Sequence, residues 1–448
     1  GGMVSEAYVK YLKKLLGKKA ITETMIQTAC RRILEAKYKL GLFSDPFRGC
    51  SEDRAGREIL TPENHEFARE LARRSFVLLK NADETLPLKR SGVIAMIGPL
   101  ADSRRDLLGP WSAAGDWKMA FSVLDAVKQA AGPDVTILRE RGANLVDDPE
   151  MLVALNGSGA DIVLDKRSPR EMIDDAVAAA KKADVVVATL GESFAMSGEA
   201  ASRSEIGLPD CQEELLRALV ETGKPVVLVL MNGRPLTLAW EAAHCSAILE
   251  TWFGGIEAGR AVADVLFGDY SPSGRLTATF PRNVGQIPIY YNHKNTGRPY
   301  SGDPRVKYVS RYLDVPNSPL FPFGFGLSYT SFSYGDIRLS KRSLEGNETL
   351  VASVDVANTG KRAGEETVQL YITEPVASVT RSVEDLRGFQ KIDLQPGQTS
   401  EVSFRITPED LKFFNADLVY DWEPGDFVIR IGPDSSQLHS ATVHWSKE

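Results

Sequence analysis

The sequence predicts an α/β sandwich on a largely parallel sheet, followed by an all-β sandwich of immunoglobulin or fibronectin type. Three observations carry this. Between residues 61 and 270, short continuous Val/Ile/Leu runs alternate with amphipathic stretches, as in a parallel sheet covered on both faces. From 333 to 448 the apolar period falls to two, with Asn-Thr-Gly, Pro-Gly and Glu-Pro-Gly turns between the runs. Between the two, the stretch 271–332 is rich in Pro, Gly, Tyr and Asn and has little periodicity.

Residues 5–16 and 22–40 read as helices. The second has Thr22 as N-cap, apolar positions at Ile26, Ala29, Cys30, Ile33, Leu34 and Leu40, and Gly41 as a stop. Two such helices cannot form a core alone, so the segment 1–45 needs a packing partner. Residues 46–60 are polar and read as a linker. In 61–270 the expected strands are 93–97, 135–138, 185–190, 226–231 and 247–252. One helix between them starts at Ser168, with Pro169 at its first position and Glu171 closing a capping box. Asp210 and Glu213 suggest a similar start. The stretch 271–332 is expected to be a long ordered connection. In 333–448, residues 350–356, 367–372, 399–406 and 427–431 are strand-like.

The net charge is −7, which does not suggest a nucleic-acid partner. Residues 1–50 hold ten Lys or Arg against four Asp or Glu, which reads as a solvated helix face. No apolar run reaches the roughly 18 residues of a membrane helix, and no signal-peptide pattern opens the chain. Cys30, Cys50, Cys211 and Cys245 lack metal or redox spacing, and the His residues are scattered. No phosphate-binding glycine loop is present. No metal and no cofactor are therefore expected.

The stretch most suggestive of chemistry follows the expected strand at 185–190. It runs from Gly191 to Pro209 and carries Glu192, Glu199, Arg203 and Glu205 among small residues. In open α/β sheets ligands sit outside the carboxyl ends of the strands, and irregular loops longer than about 12–15 residues are usually functional or disordered. The chemistry alone does not choose among the three glutamates. Trp111 and Trp252 each sit at or just after a strand end. Either ring could line a ligand subsite, although large aromatics are more often core. Tyr290, Tyr291 and His293 are weaker candidates of the same kind.

Several segments together resemble the carboxyl-terminal two-thirds of bacterial β-glucosidases of glycoside hydrolase family 3. They include Leu79-Lys80-Asn81, Met231-Asn232-Gly233-Arg234-Pro235, Gly268-Asp269-Tyr270-Ser271-Pro272, Phe321-Pro322-Phe323-Gly324 and Leu386-Arg387-Gly388-Phe389. The resemblance implies a (β/α)8 barrel, then the α/β sandwich, then a fibronectin type III-like domain. Residues 1–45 then look like the last helices of a barrel that is otherwise absent from this sequence. That barrel is the expected packing partner and the carrier of the family's Asp nucleophile. Gly115-Asp116-Trp117 imitates the nucleophile's context at the wrong point in the family's order.

By the resemblance, Gly198-Glu199-Ala200-Ala201-Ser202-Arg203 matches the loop that supplies the acid/base, so Glu199 is the expected catalytic residue. Arg203, Trp111 and Trp252 are the expected substrate-binding residues. Arg203 would orient Glu199, bind sugar or simply anchor the loop. The implied activity is retaining exo-β-glucosidase, on a β-glucoside or β-linked oligosaccharide, in the periplasm or secreted, with a homodimer left open. The rivals are a β-xylosidase or other β-glycosidase, a non-catalytic carbohydrate-binding or scaffold fragment, and, on fold analogy, a nucleotide-binding domain.

Overall fold

The computed structural model describes residues 5–447 and divides into two units, Gly1–Asn64 and His65–Glu448. The first unit holds helices α1 (Ala7–Gly17), α2 (Glu23–Lys39) and α3 (Arg54–Glu58). Thr22 Oγ1 accepts from Met25 N at 3.2 Å, the N-cap expected for α2. No residue of these three helices is buried. Of the apolar stripe on α2, Ile33, Leu34 and Leu40 are exposed and Ile26 is half-buried. The stretch expected to be a linker contains α3.

The boundary between the units falls within α4 (Pro62–Ser75). Beyond it lies a six-stranded sheet of β1 (Val77–Asn81), β2 (Gly92–Ile97), β3 (Val135–Glu140), β4 (Val185–Gly191), β5 (Val226–Met231) and β6 (Ala247–Glu250). The strand order is β1-β6-β5-β4-β2-β3. β1 runs antiparallel to β6, and all other neighbours are parallel. The helices between the strands are α5 (Val123–Ala131), α6 (Pro149–Gly157), α7 (Pro169–Lys182), α8 (Asp210–Val220) and α9 (Ala239–His244), and α10 (Ala258–Phe267) follows β6.

Every residue of β5 is buried. Val227 and Val229 join the core under α5 and α10, whereas Leu228 and Leu230 join the core under α7 and α8. Each such side chain contributes about 1.5–3 kcal/mol on full burial, so the strand reads as a continuous apolar run. β1 escaped the sequence reading because its apolar part is only Val77-Leu78-Leu79, followed by Lys80 and Asn81.

Ser168 and Glu171 form the expected capping box of α7, with Pro169 in the first turn. α8 departs from expectation. Its N-cap is Pro209, which makes no side-chain bond, and Asp210 lies inside the first turn. There Asp210 and Glu213 place negative charge at the positive end of the helix dipole. The strand expected to reach 252 stops at Glu250, because Trp252 takes a left-handed φ of 53° and turns the chain.

The connection lacks periodicity yet packs closely. Leu276, Phe280 and Phe321 enter the core under α7 and α8. Phe280 N donates to Phe321 O, and Leu320 N to Phe280 O, both at 2.9 Å.

The C-terminal sandwich contains β7 (Phe332–Tyr334), β8 (Arg338–Leu339), β9 (Ser343–Glu345), β10 (Leu350–Asn358), β11 (Gly364–Thr373), β12 (Asp385–Leu394) and β13 (Thr399–Ile406). A small hairpin, β14 (Phe413–Phe414) and β15 (Tyr420–Asp421), precedes β16 (Gly425–Gly432) and β17 (His439–Ser446). One sheet orders β13-β10-β7, with β8 also on β10, and the other orders β12-β11-β16-β17-β9. β10 alternates buried and half-buried residues along its whole length, with Val354 opposite Val402. Arg275 reaches Glu366 of β11 at 2.7 Å, Tyr334 Oη donates to the same carboxylate at 2.8 Å, and Gln369 Nε2 donates to Gly324 O at 3.0 Å. The Arg275 and Gln369 contacts tie the connection to the sandwich, and Tyr334, on β7, braces the same Glu366 from within it.

Candidate active site

The sheet changes winding direction between two adjacent strands. From β2 the chain moves outward to β3, and from β4 it moves the other way to β5 and β6. The loops leaving the carboxyl ends of β2 and β4 therefore meet at a topological switch point, the usual ligand position in such sheets. Asp106, in the loop after β2, is buried. Its Oδ1 accepts from Phe194 N at 2.9 Å and its Oδ2 from Ser103 Oγ at 2.6 Å. That carboxylate stitches the β2 loop to the start of the β4 loop. Further along, Gly198 has φ +95°, and a Cβ there would lie 2.9 Å from Pro110 Cβ. Only glycine lets the two loops approach so closely beside Trp111.

Glu199 follows directly and is exposed. The described residues give its carboxylate no hydrogen bond or salt bridge. Ala200, the next residue, holds a left-handed φ of 57° without being glycine, a conformation that costs about 1–3 kcal/mol and clusters at functional sites. Glu199 lines a cleft of about 460 Å³ together with Trp111, Phe194, Met151 and Arg203. The Trp111 ring is 72% exposed, so it is available to a ligand rather than used as core.

Arg203 lies in the same cleft wall, but its guanidinium is engaged elsewhere. Nη1 is 2.8 Å from Glu192 Oε1, and Nη2 donates to Gly207 O at 3.0 Å. Glu192 is fully buried. It also forms an ion pair with Arg234, whose Nε lies 2.9 Å from Oε1, and its Oε2 accepts the Gly233 N–H at 3.2 Å. Arg234 extends from the turn after β5, and its Nη2 donates to Met196 O and, at 2.8 Å, to Ala201 O. A buried carboxylate held by two guanidinium groups thus sits beneath the loop. A buried charge needs such partners, because unpaired it would cost several kcal/mol.

Next to it lies Glu250, at the end of β6 and fully buried. It accepts from Trp252 N and from Asn232 Nδ2, each at 3.0 Å. Burial pushes its carboxyl up to about 8, against the opposing effect of those two donors. Trp252 is half-buried, edge-on to Phe280 at 6.1 Å between ring centres, and does not line the Glu199 cleft. Asp116 is exposed and accepts from Lys118 N at 3.0 Å, capping a short turn. Sequence reasoning did not single out Arg234, Asn232 or Glu250. The available signal was the polar run Asn232-Gly233-Arg234 directly after an apolar strand. Among the described residues no group of three or more His, Cys, Asp or Glu could hold a metal, and no helix is long and apolar enough to cross a membrane.

Residues 76–329 match the glycosyl hydrolase family 3 C-terminal domain, and residues 366–435 match the fibronectin type III-like domain. A periplasmic beta-glucosidase of Salmonella typhimurium is 50% identical over 439 residues, which are 97% of this chain and 57% of that protein. A beta-xylosidase of Formosa agariphila is 40% identical over 442 residues, again 97% of this chain and 57% of that protein. The crystal structure of a beta-glucosidase from Listeria innocua in complex with isofagomine superposes with a TM-score of 0.89 at 36% identity. It covers 99% of this chain and 59% of that one. The chain thus spans a little over half the length of the relatives it matches.

Proposed function

The chain belongs to glycosyl hydrolase family 3, and from that premise we propose that it forms the acid/base-bearing part of a retaining exo-β-glucosidase releasing terminal β-D-glucose. The observation that carries the reading is Glu199, an exposed carboxyl without a partner among the described residues, beside an exposed Trp111, on a loop at the switch point of the sheet. Retaining hydrolysis uses two carboxyl groups about 5–5.5 Å apart. In this reading Glu199 protonates the leaving oxygen and then activates water. The nucleophile comes from barrel residues outside this sequence, against which the helices of residues 1–45 would pack. The names of the Salmonella and Listeria relatives support glucose as the sugar and, for the first, a periplasmic or secreted setting.

A β-xyloside is the second reading, favoured by the Formosa relative. The test uses the full-length enzyme with aryl β-D-glucoside and β-D-xyloside. The expected result is β-glucose as the first-formed anomer by proton NMR, with the higher kcat/KM on the glucoside. The α-anomer appearing first would overturn retention, and preference for the xyloside would overturn the sugar. The 448-residue chain alone is expected to hydrolyse neither substrate. Robust turnover by it, free of contaminating enzyme, would place both carboxylates within this sequence.

Trp111 makes a separate prediction. A ring that forms a leaving-group subsite should raise KM for disaccharides more than for aryl monosaccharides when replaced by Ala, with Tm unchanged. A lowered Tm with unchanged substrate ranking would assign the ring to packing.

A further inference from the structure

We propose that Arg234 is the positioning residue of the acid/base loop, an inference that rests on reading Glu199 as the acid/base. Glu199 has no side-chain anchor among the described residues, so its place is set by its backbone. That backbone is strained at Ala200, which holds φ +57°, and turns on the other side at Gly198, whose φ of +95° glycine adopts without strain. The carbonyls of Met196 and Ala201 bracket the four residues from Ser197 to Ala200. One nitrogen of Arg234, Nη2, donates to both carbonyls. The same guanidinium is fixed from behind by Glu192, 2.9 Å from Nε, and Glu192 is in turn held by Arg203 and by Gly233 N. The result is a fork spanning a carboxylate on one side and two loop carbonyls on the other.

Arginine suits this role and lysine does not. A planar guanidinium presents several donors in fixed directions, whereas an ammonium is a point charge on a flexible stem. Arg234 at 19% side-chain exposure is itself partly covered, and it comes from the turn just after β5 rather than from the loop it holds. The strained segment is thereby referred to the sheet. A displacement of about 1 Å at a reacting group can lower the rate by up to about 100-fold.

Arg234→Lys in the full-length enzyme keeps a positive charge against Glu192 while removing the fork. The readout is the dependence of kcat on leaving-group pKa across a series of aryl β-glucosides, compared with Glu199→Gln. The expected result is a steeper dependence in the lysine variant. Loss should reach about 10–100-fold for poor leaving groups and be small for good ones, with KM little changed. Amide hydrogen exchange is expected to quicken at residues 197–201 and nowhere else in the α/β layer. Should the lysine variant not fold, Arg234→Gln, which is shorter and removes the contacts of Nη2, carries the same comparison. A uniform loss across all leaving groups would make Arg234 merely structural and overturn the proposal. Glu199→Gln with an unchanged leaving-group dependence would overturn the reading of Glu199 and this proposal with it. A steepened dependence for Glu199→Gln but not for either Arg234 variant would overturn this proposal alone.

Discussion

Replacing Glu199 by Gln in the full-length enzyme is expected to lower kcat by about 10²–10⁴-fold for β-glucosides with poor leaving groups, the usual contribution of general acid/base assistance. Aryl glucosides with good leaving groups need little proton donation and should lose much less in the glycosylation step. In the Ala variant, added azide should restore turnover in part, because it attacks the glycosyl-enzyme without a general base. The geometry makes this a clean test. Glu199 is exposed and partners nothing among the described residues, so the substitution strands no buried group and should leave Tm unchanged. The neighbouring glutamate behaves oppositely. Glu192→Gln would remove the charge that holds Arg203 and Arg234, and it should lower stability before it says anything about catalysis. Near-wild-type kinetics for Glu199→Gln would sink the assignment.

The parts of the fold that could be read from sequence are those whose pattern arises from burial. β10 alternates strictly because one face of a two-layer sandwich is core and the other is only half-buried. β5 is uniformly apolar because helices cover both of its faces. β12 and β17 gave no such signal. β12 is an edge strand whose residues are mostly half-buried or exposed, and β17 buries only Val443 and Trp445. The connection 271–332 was opaque in period but not in composition, since its aromatic residues Phe280 and Phe321 are the ones that reach the core.

The site divides along the same line. A long loop with a glutamate after a parallel strand is a local feature, and topology says where it will lie. The choice of Glu199 over Glu192 and Glu205 came from family resemblance and not from chemistry. What separates Glu192 in space is non-local: two arginines, 11 and 42 residues away in sequence, converge on it. The expectation for Trp252 rested on its position after a strand. A single left-handed residue ends β6 early and turns that ring onto Phe280 instead of into the cleft, which strand periodicity could not foresee. The decoy Asp116 and the partner of α2 likewise depend on tertiary context.

Glu250 should make the stability of the α/β layer fall as pH rises. Its ordinary carboxyl value is 4.5, and in the folded chain it stands at about 8, first because burial disfavours the charged form and further because Glu192 carries a like charge nearby. Below pH 4.5 the group is protonated in both states and this contribution is fully present. Between 4.5 and 8 the folded chain binds a proton that the unfolded chain has released, so stability declines across that window and is lost as pH passes the folded value. A displacement of this size corresponds to on the order of 5 kcal/mol. The isosteric Glu250→Gln variant cannot ionise. The measurement is Tm of both proteins from pH 5 to 9. The variant should be no more stable than wild type at pH 5, where Asn232 and Trp252 already have a neutral acceptor, and should overtake it by pH 9. The crossover should be largest in the α/β layer, because ionised Glu250 sets a second negative charge beside the carboxylate that secures Arg203 and Arg234. A constant difference in Tm across the range would mean that Glu250 carries its charge in the folded chain at neutral pH, with Asn232 Nδ2 and Trp252 N together outweighing its burial.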